Sequence, residues 1–141
     1  IVSSLIEKEK NERYNLFFRY KNFSIKVNEK KNQTLKFIKS LKQKGSNIAG
    51  YGASATVTTL LHHFEIGDFL ECLFDDNPDK HHTFSPGYNL RVLPSDQIYQ
   101  KSPDYIIILA WNYSEPIMNK HQKFMDNGGR FILPLMDFKV I

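Results

Sequence analysis

Two glycines flank a tyrosine at the end of a short apolar run, and small residues follow, in the order Ile48-Ala49-Gly50-Tyr51-Gly52-Ala53-Ser54-Ala55-Thr56. A strand that reaches such a pair and then opens a helix lets backbone N–H groups approach an anion, because Gly50 and Gly52 carry no Cβ. A helix beginning near Ala53 aims the positive end of its dipole at the same point. Phosphate is the chemistry that such a loop serves. A bare strand-to-helix turn is an equal alternative from the loop alone. Position 55 is alanine where the dinucleotide fingerprint places its third glycine, a replacement that the fingerprint tolerates.

Other chemistry-bearing residues fall where neighbouring strands should end. Asp75-Asp76-Asn77-Pro78 closes a second apolar run and is followed by Lys80, and Trp111-Asn112 closes a third. In an open α/β sheet a ligand lies beyond the carboxyl ends of the strands, so these groups would converge. A backbone anion site, a carboxylate within reach of a ribose, a lysine, an aromatic platform and an amide suit a nucleotide or a nucleotide-linked sugar. Each has a structural alternative: Asp75 or Asp76 as a turn former with Asn77-Pro78, and Trp111 as a cover for the sheet edge.

Metal and nucleophile chemistry find no support. The five histidines include His62 and His63, adjacent on one helix and pointing about 100° apart, and no zinc-ligand spacing occurs. Ser54 lies outside any Gly-x-Ser-x-Gly elbow and is better placed to hydrogen-bond a phosphate than to attack. No catalytic residue is assigned. The 141 residues suffice for a buried core, and 41% hydrophobic with 24% charged residues is a globular composition. No apolar run approaches the ~20 residues of a membrane span, so a membrane partner is not expected. The net charge of +4 comes from lysines concentrated between Lys8 and Lys44, read as solvated helix faces. Nucleic-acid binding would want more arginines and exposed aromatics among them. The lone Cys72 reads as a small buried hydrophobe and fits a reducing cytoplasm. The start at Ile1, with no signal pattern, reads as a portion of a longer protein.

The elements that must position these groups follow from periodicity and punctuation. Residues 1–45 read as a helical arm, interrupted at Asn22-Phe23-Ser24 with Ser24 as a cap and ended at Gly45. Its aromatics Tyr14, Phe17, Phe18, Tyr20 and Phe23 call for a packing partner, either the following domain or an upstream one. Residues 46–141 alternate strands and helices. Strands are expected at 48–51, 71–74, 90–93, 105–110 and 130–133, and helices at 53–64, 95–99 and 115–125. That alternation predicts an α/β, Rossmann-like parallel sheet flanked by helices and preceded by the arm.

The linked motifs GYGASA, TLL, DDNPDK, SPGYNLRVLPSD, PDYIIILAWNYSEPI and GGRFILPL resemble the C-terminal domain of S-adenosylmethionine-dependent sugar C-methyltransferases. The likeness spans nearly the whole chain. It implies a transferase with an N-terminal zinc-binding domain, a central methyltransferase domain holding S-adenosylmethionine and the catalytic base, and this domain helping to hold an NDP-keto-sugar. In such enzymes a base removes a proton beside the ketone, and the carbanion attacks the cofactor methyl group. The fragment alone would bind no cofactor and be inactive. Gly50, Tyr51, Gly52, Ala53 and Ser54 match the family's glycine loop. Asn77, Pro78 and Lys80 match its Asn-Pro-x-Lys signature, and Trp111 with Asn112 its Trp-Asn pair. The resemblance thereby nominates Lys80 for charge neutralisation and Asn112 for hydrogen bonding. Where many members carry lysine this chain has Thr56, which removes a cation but leaves a hydroxyl. The alternative function is a non-catalytic nucleotide-binding or oligomerisation module. An NAD-dependent dehydrogenase fits least, since the full fingerprint is missing.

Overall fold

The computed structural model describes residues 1–14, 16–135 and 137–141. Two helices come first, α1 (Val2–Asn11) and α2 (Phe17–Gln43), followed by β1 (Ile48–Tyr51), α3 (Ala55–Phe64), β2 (Leu73–Asp75), β3 (Val92–Pro94) and α4 (Ile98–Lys101). Then come β4 (Tyr105–Ile108), α5 (Ser114–Lys120), α6 (Gln122–Asp126), β5 (Arg130–Leu133) and β6 (Lys139–Val140). The strands form one six-stranded sheet in the order β3-β2-β1-β4-β5-β6. All neighbours pair in parallel except β6, which runs antiparallel along β5. Order reverses between β1 and β4, so the fold is a mixed, mostly parallel Rossmann-like sheet with its switch point between those two strands.

Period-two alternation divides the core between the two faces of the sheet. Ile48, Leu73, Ile107 and Ile132 join Ile38 and Leu41 of α2 and Val57, Leu61 and Phe64 of α3. Ala49, Tyr51, Phe74, Ile106, Ile108 and Phe131 join Ile98 of α4, Ile117 of α5 and Phe124 of α6. Cys72 is buried in that second layer, where desolvation pushes its thiol up to about 11, as befits a small apolar residue. Among the described residues, no helix is long and apolar enough to cross a membrane.

Several expectations need correction. Helix α2 runs unbroken through Asn22-Phe23-Ser24, so Ser24 is no cap. The interruption lies nearer the start, where Arg13 takes a left-handed φ of 59° and α1 ends. Gly45 does close α2, in a Schellman turn: its N–H donates to Lys42 O, and the Ser46 N–H donates to Leu41 O. Of the arm's aromatics Phe17, Phe18, Tyr20 and Phe23 are exposed and do not pack on the sheet, and α1 buries no residue. The helix expected over 115–125 is two short ones, broken at His121. The strand β6 was not foreseen, being only two residues long.

Gly52 fixes how closely β1 and β4 approach at the switch point. Its φ is +112°, and a Cβ there would lie 2.9 Å from Ala110 Cβ and 3.1 Å from Ala110 N. Gly52→Ala is therefore expected to lower unfolding free energy in urea by about 1–3 kcal/mol, from backbone strain and the clash together. An unchanged urea midpoint would contradict this packing.

Candidate functional site

At the switch point the segments after β1 and β4 diverge, and a cleft of about 390 Å³ opens between them. Tyr51, Gly52, Ala53 and Ser54 form the β1 wall. Asp75, Asp76, Asn77 and Lys80 come from the tip of β2, and Ala110, Tyr113, Pro116, Ile117 and Lys120 form the β4 wall. Ser54 is the N-cap of α3, its Oγ accepting from the Val57 N–H at 3.4 Å. The N–H groups of Ala55 and Thr56 head the first turn of α3, where a helix supplies no internal acceptor.

Asp75 holds this corner together. Its Oδ2 accepts from the Ala53 N–H at 2.7 Å and its Oδ1 from the Asn77 N–H at 2.9 Å. Lys80 Nζ donates to both oxygens, at 3.1 and 3.3 Å. Asn77 in turn caps the following turn, its Oδ1 accepting from the Asp79 N–H at 3.0 Å.

Beneath the cleft runs a second polar chain. The Tyr51 hydroxyl donates to Asp76 Oδ2 at 2.9 Å and lies 3.1 Å from His121 Nε2. A phenol has one proton to give, so the donor count puts a proton on Nε2, which donates to the tyrosine oxygen. Nδ1 is then the acceptor for the Tyr99 hydroxyl at 3.1 Å. Donation thus runs one way, from Tyr99 through His121 and Tyr51 to Asp76. Ser95 Oγ and Lys120 Nζ both donate to Asp76 Oδ1, and Lys120 also donates to Ser95 Oγ at 3.1 Å. Burial would raise the Asp76 carboxyl, but the hydrogen bonds from Lys120, Ser95 and Tyr51 prevail and hold its pKa below the usual range. Burial raises the Tyr51 phenol, and the nearby carboxylates raise it further. His121 is 2% exposed, and burial first, then the adjacent Lys120 charge, lowers its pKa.

The nominated residues divide. Tyr51, Gly52, Ala53, Ser54, Asp75, Asn77 and Lys80 line the cleft. Gly50 does not: its N–H bonds to Cys72 O within the sheet, and its missing side chain makes room for Leu73 and Leu109. The Gly52 N–H is likewise spent, on Phe74 O at 2.7 Å. The open amides are thus those of the helix start, beyond the glycines. Thr56 is exposed outside the cleft lining, its Oγ1 2.8 Å from Ser54 Oγ. Trp111 borders a separate hollow of about 120 Å³ with Pro134 and Leu135, and Asn112 is exposed on the same 3-10 turn. Sequence reasoning passed over Tyr113, Pro116, Ile117 and Lys120, whose i, i+3, i+4, i+7 spacing was the available signal. It also passed over His121, whose burial follows from the helix break and has no local mark.

His121 gives the fold a pH dependence of known sign. Its folded pKa lies below the ordinary 6.5, so between the two values the unfolded chain binds more protons. The stability tied to neutral His121 is complete above pH 6.5 and is lost as pH falls toward the folded pKa. The urea midpoint should drop between about pH 7.5 and about pH 5, and His121→Gln should flatten that drop. An equally steep drop in the variant would assign the titration elsewhere.

The profile of the C-methyltransferase C-terminal domain matches residues 1–135. C-methyltransferase NovU of Streptomyces niveus is 27% identical over 141 residues, covering 99% of this chain and 34% of the relative. The chain thus spans about a third of the length of the curated relative it matches. Among solved structures, UDP-D-quinovosamine 4-dehydrogenase from Vibrio fischeri superposes with a TM-score of 0.50 at 13% identity, over 68% of this chain and 93% of that one. That likeness speaks for the fold alone. With a family profile matched over nearly its whole length, the chain belongs to the C-methyltransferase C-terminal domain family.

Proposed function

We propose that this chain is the nucleotide-sugar-binding part of an S-adenosylmethionine-dependent C-methyltransferase acting on an NDP-keto-sugar, and that it does no chemistry alone. The observation that carries the proposal is the cleft itself. It opens at the switch point, with the start of α3 on one wall, two lysines within it, and an apolar stripe of Tyr113, Pro116 and Ile117 on the other wall. Phosphate oxygens would meet the first-turn N–H groups of α3 and the Ser54 hydroxyl, and a nucleobase would lie along the stripe. The domain's contribution to catalysis would be remote binding energy that fixes the sugar for a reaction conducted by another part of the parent enzyme.

In this reading S-adenosylmethionine supplies the methyl group and is held outside the chain. Support comes from the two carboxylates at the tip of β2. Asp75 is committed to Ala53, Asn77 and Lys80, and Asp76 to Tyr51, Ser95 and Lys120. Asp75, the more buried of the two, thus has both oxygens taken by the chain's own donors and offers no free acceptor to a cofactor ribose diol.

One observation favours a further role for the arm. Phe17, Phe18, Tyr20, Phe23 and Ile25 are exposed along α2, and α1 carries exposed Val2, Leu5 and Ile6. Apolar surface of this extent suits a contact with other parts of a larger protein. If the module served assembly only, nucleotides would be ignored by the cleft.

The two roles separate in one experiment. Titrating the 141-residue chain with dTDP should move amide NMR signals from Gly52 to Thr56 and from Asn77 to Lys80, with no methyl transfer by the chain alone. Signals in those segments that stay fixed at millimolar dTDP would reject nucleotide binding and leave assembly.

A further inference from the structure

Building on the nucleotide-sugar reading, we propose that Lys120, rather than the sequence-nominated Lys80, is the residue that takes up the charge of a diphosphate, exchanging its resting partner Asp76 for the ligand. Both lysines line the cleft, and each rests against a carboxylate. At rest the two acids offset the two bases. Attraction of an anion therefore depends on which pair can open.

The two pairs differ in burial. The side chains of Lys80 and Asp75 are 33% and 11% accessible, and Asp75 also organises the Ala53 and Asn77 amides. Drawing Lys80 away would leave a largely buried carboxylate short of its cation, which is costly. Lys120 and Asp76 are 52% and 48% accessible, so water can replace either partner at little cost. Asp76 also keeps two donors when Lys120 leaves, the Ser95 hydroxyl and the Tyr51 hydroxyl. Tyr51 is itself held by His121, so the released carboxylate stays ordered.

Position supports the exchange as well. Lys120 ends α5 on the same helical stripe as Tyr113, Pro116 and Ile117, opposite the start of α3. A flexible four-carbon stem with three ammonium donors can swing from Asp76 to a phosphate while its Cα stays fixed. A ligand with two phosphates would thus be clasped between the α3 amides and Lys120, its base on the stripe. Lys80 remains a brace for the β2 tip.

Calorimetric titration of the full chain with dTDP, thymidine and inorganic pyrophosphate tests the assignment. Lys120→Met should weaken dTDP by about tenfold or more, the scale of one charge-assisted hydrogen bond, and change thymidine by less than about twofold. Asp76→Asn removes the competing charge while its one carbonyl oxygen can still accept from Tyr51 and its NH2 can donate to Ser95 Oγ, so it should tighten dTDP. That gain should shrink in the Lys120→Met background, where only the direct repulsion between Asp76 and the ligand is left to relieve. Lys120→Gln provides a second variant should Lys120→Met fail to fold. If the wild-type chain binds dTDP and the Lys120 variants bind it equally well, the assignment to Lys120 falls while nucleotide binding stands. An Asp76→Asn gain that persists undiminished without Lys120 overturns it too. If the wild-type chain binds neither dTDP nor pyrophosphate, the nucleotide reading itself fails.

Discussion

The carboxylate of Asp75 lies nearly buried at the tip of β2, and three segments of chain converge on it. The Ala53 amide arrives from the β1 turn, the Asn77 amide from the loop that follows, and the Lys80 ammonium from one turn further on. A buried carboxylate without such donors would cost several kcal/mol. Meeting that requirement draws the turn after β1 against β2 and sets where α3 begins. The entrance of the cleft is thus built before any ligand arrives, and the helix-start amides are aimed by contacts internal to the chain.

The glycines that flag the loop act mainly through space. Gly50 leaves room in the core for Leu73 and Leu109, while Gly52 permits a left-handed turn hard against Ala110. Both N–H groups serve the sheet ladder. Their link to an anion is therefore indirect: they let β1 sit close to its neighbours, so that the first turn of α3 emerges at the rim. On the opposite face of β1, Tyr51 reaches the buried His121, and the one-way run of donors from Tyr99 to Asp76 stiffens the floor beneath the lysines.

The arm answers to a different constraint. Of α2, only Thr34, Ile38 and Leu41 in its second half are buried, Ile38 and Leu41 within the core layer that includes α3. Short helices gain most of their stability from packing rather than propensity, and α1 buries no residue against the described chain. The chain spans about a third of the length of its curated relative, and the first part of α2 leaves Phe17, Phe18, Tyr20 and Phe23 exposed.

Much of the architecture was legible locally. Continuous apolar runs such as Tyr105 to Ile108 mark buried strands, Gly45 marks a helix end, and the Gly-x-Gly turn marks the edge of the sheet where the cleft opens. These features depend on neighbours a few residues away, so one-dimensional order suffices to reveal them. Lys80 and Lys120 are alike as letters; their difference lies in the burial of the carboxylates they meet, and the Lys120 partner is 44 residues away in sequence. Trp111 and Asn112 stand at a strand end as expected, yet the 3-10 turn there carries them out of the cleft lining while Tyr113 enters it. His121 acquires its role only because the helix breaks at that residue and faces it toward two tyrosines from distant segments. Sequence by itself determined the five parallel strands, the family and the edge of the sheet at which the cleft opens. Only the tertiary structure decided which polar groups are consumed by the fold and which remain to bind, because desolvation and pairing are properties of the packed neighbourhood rather than of the residue.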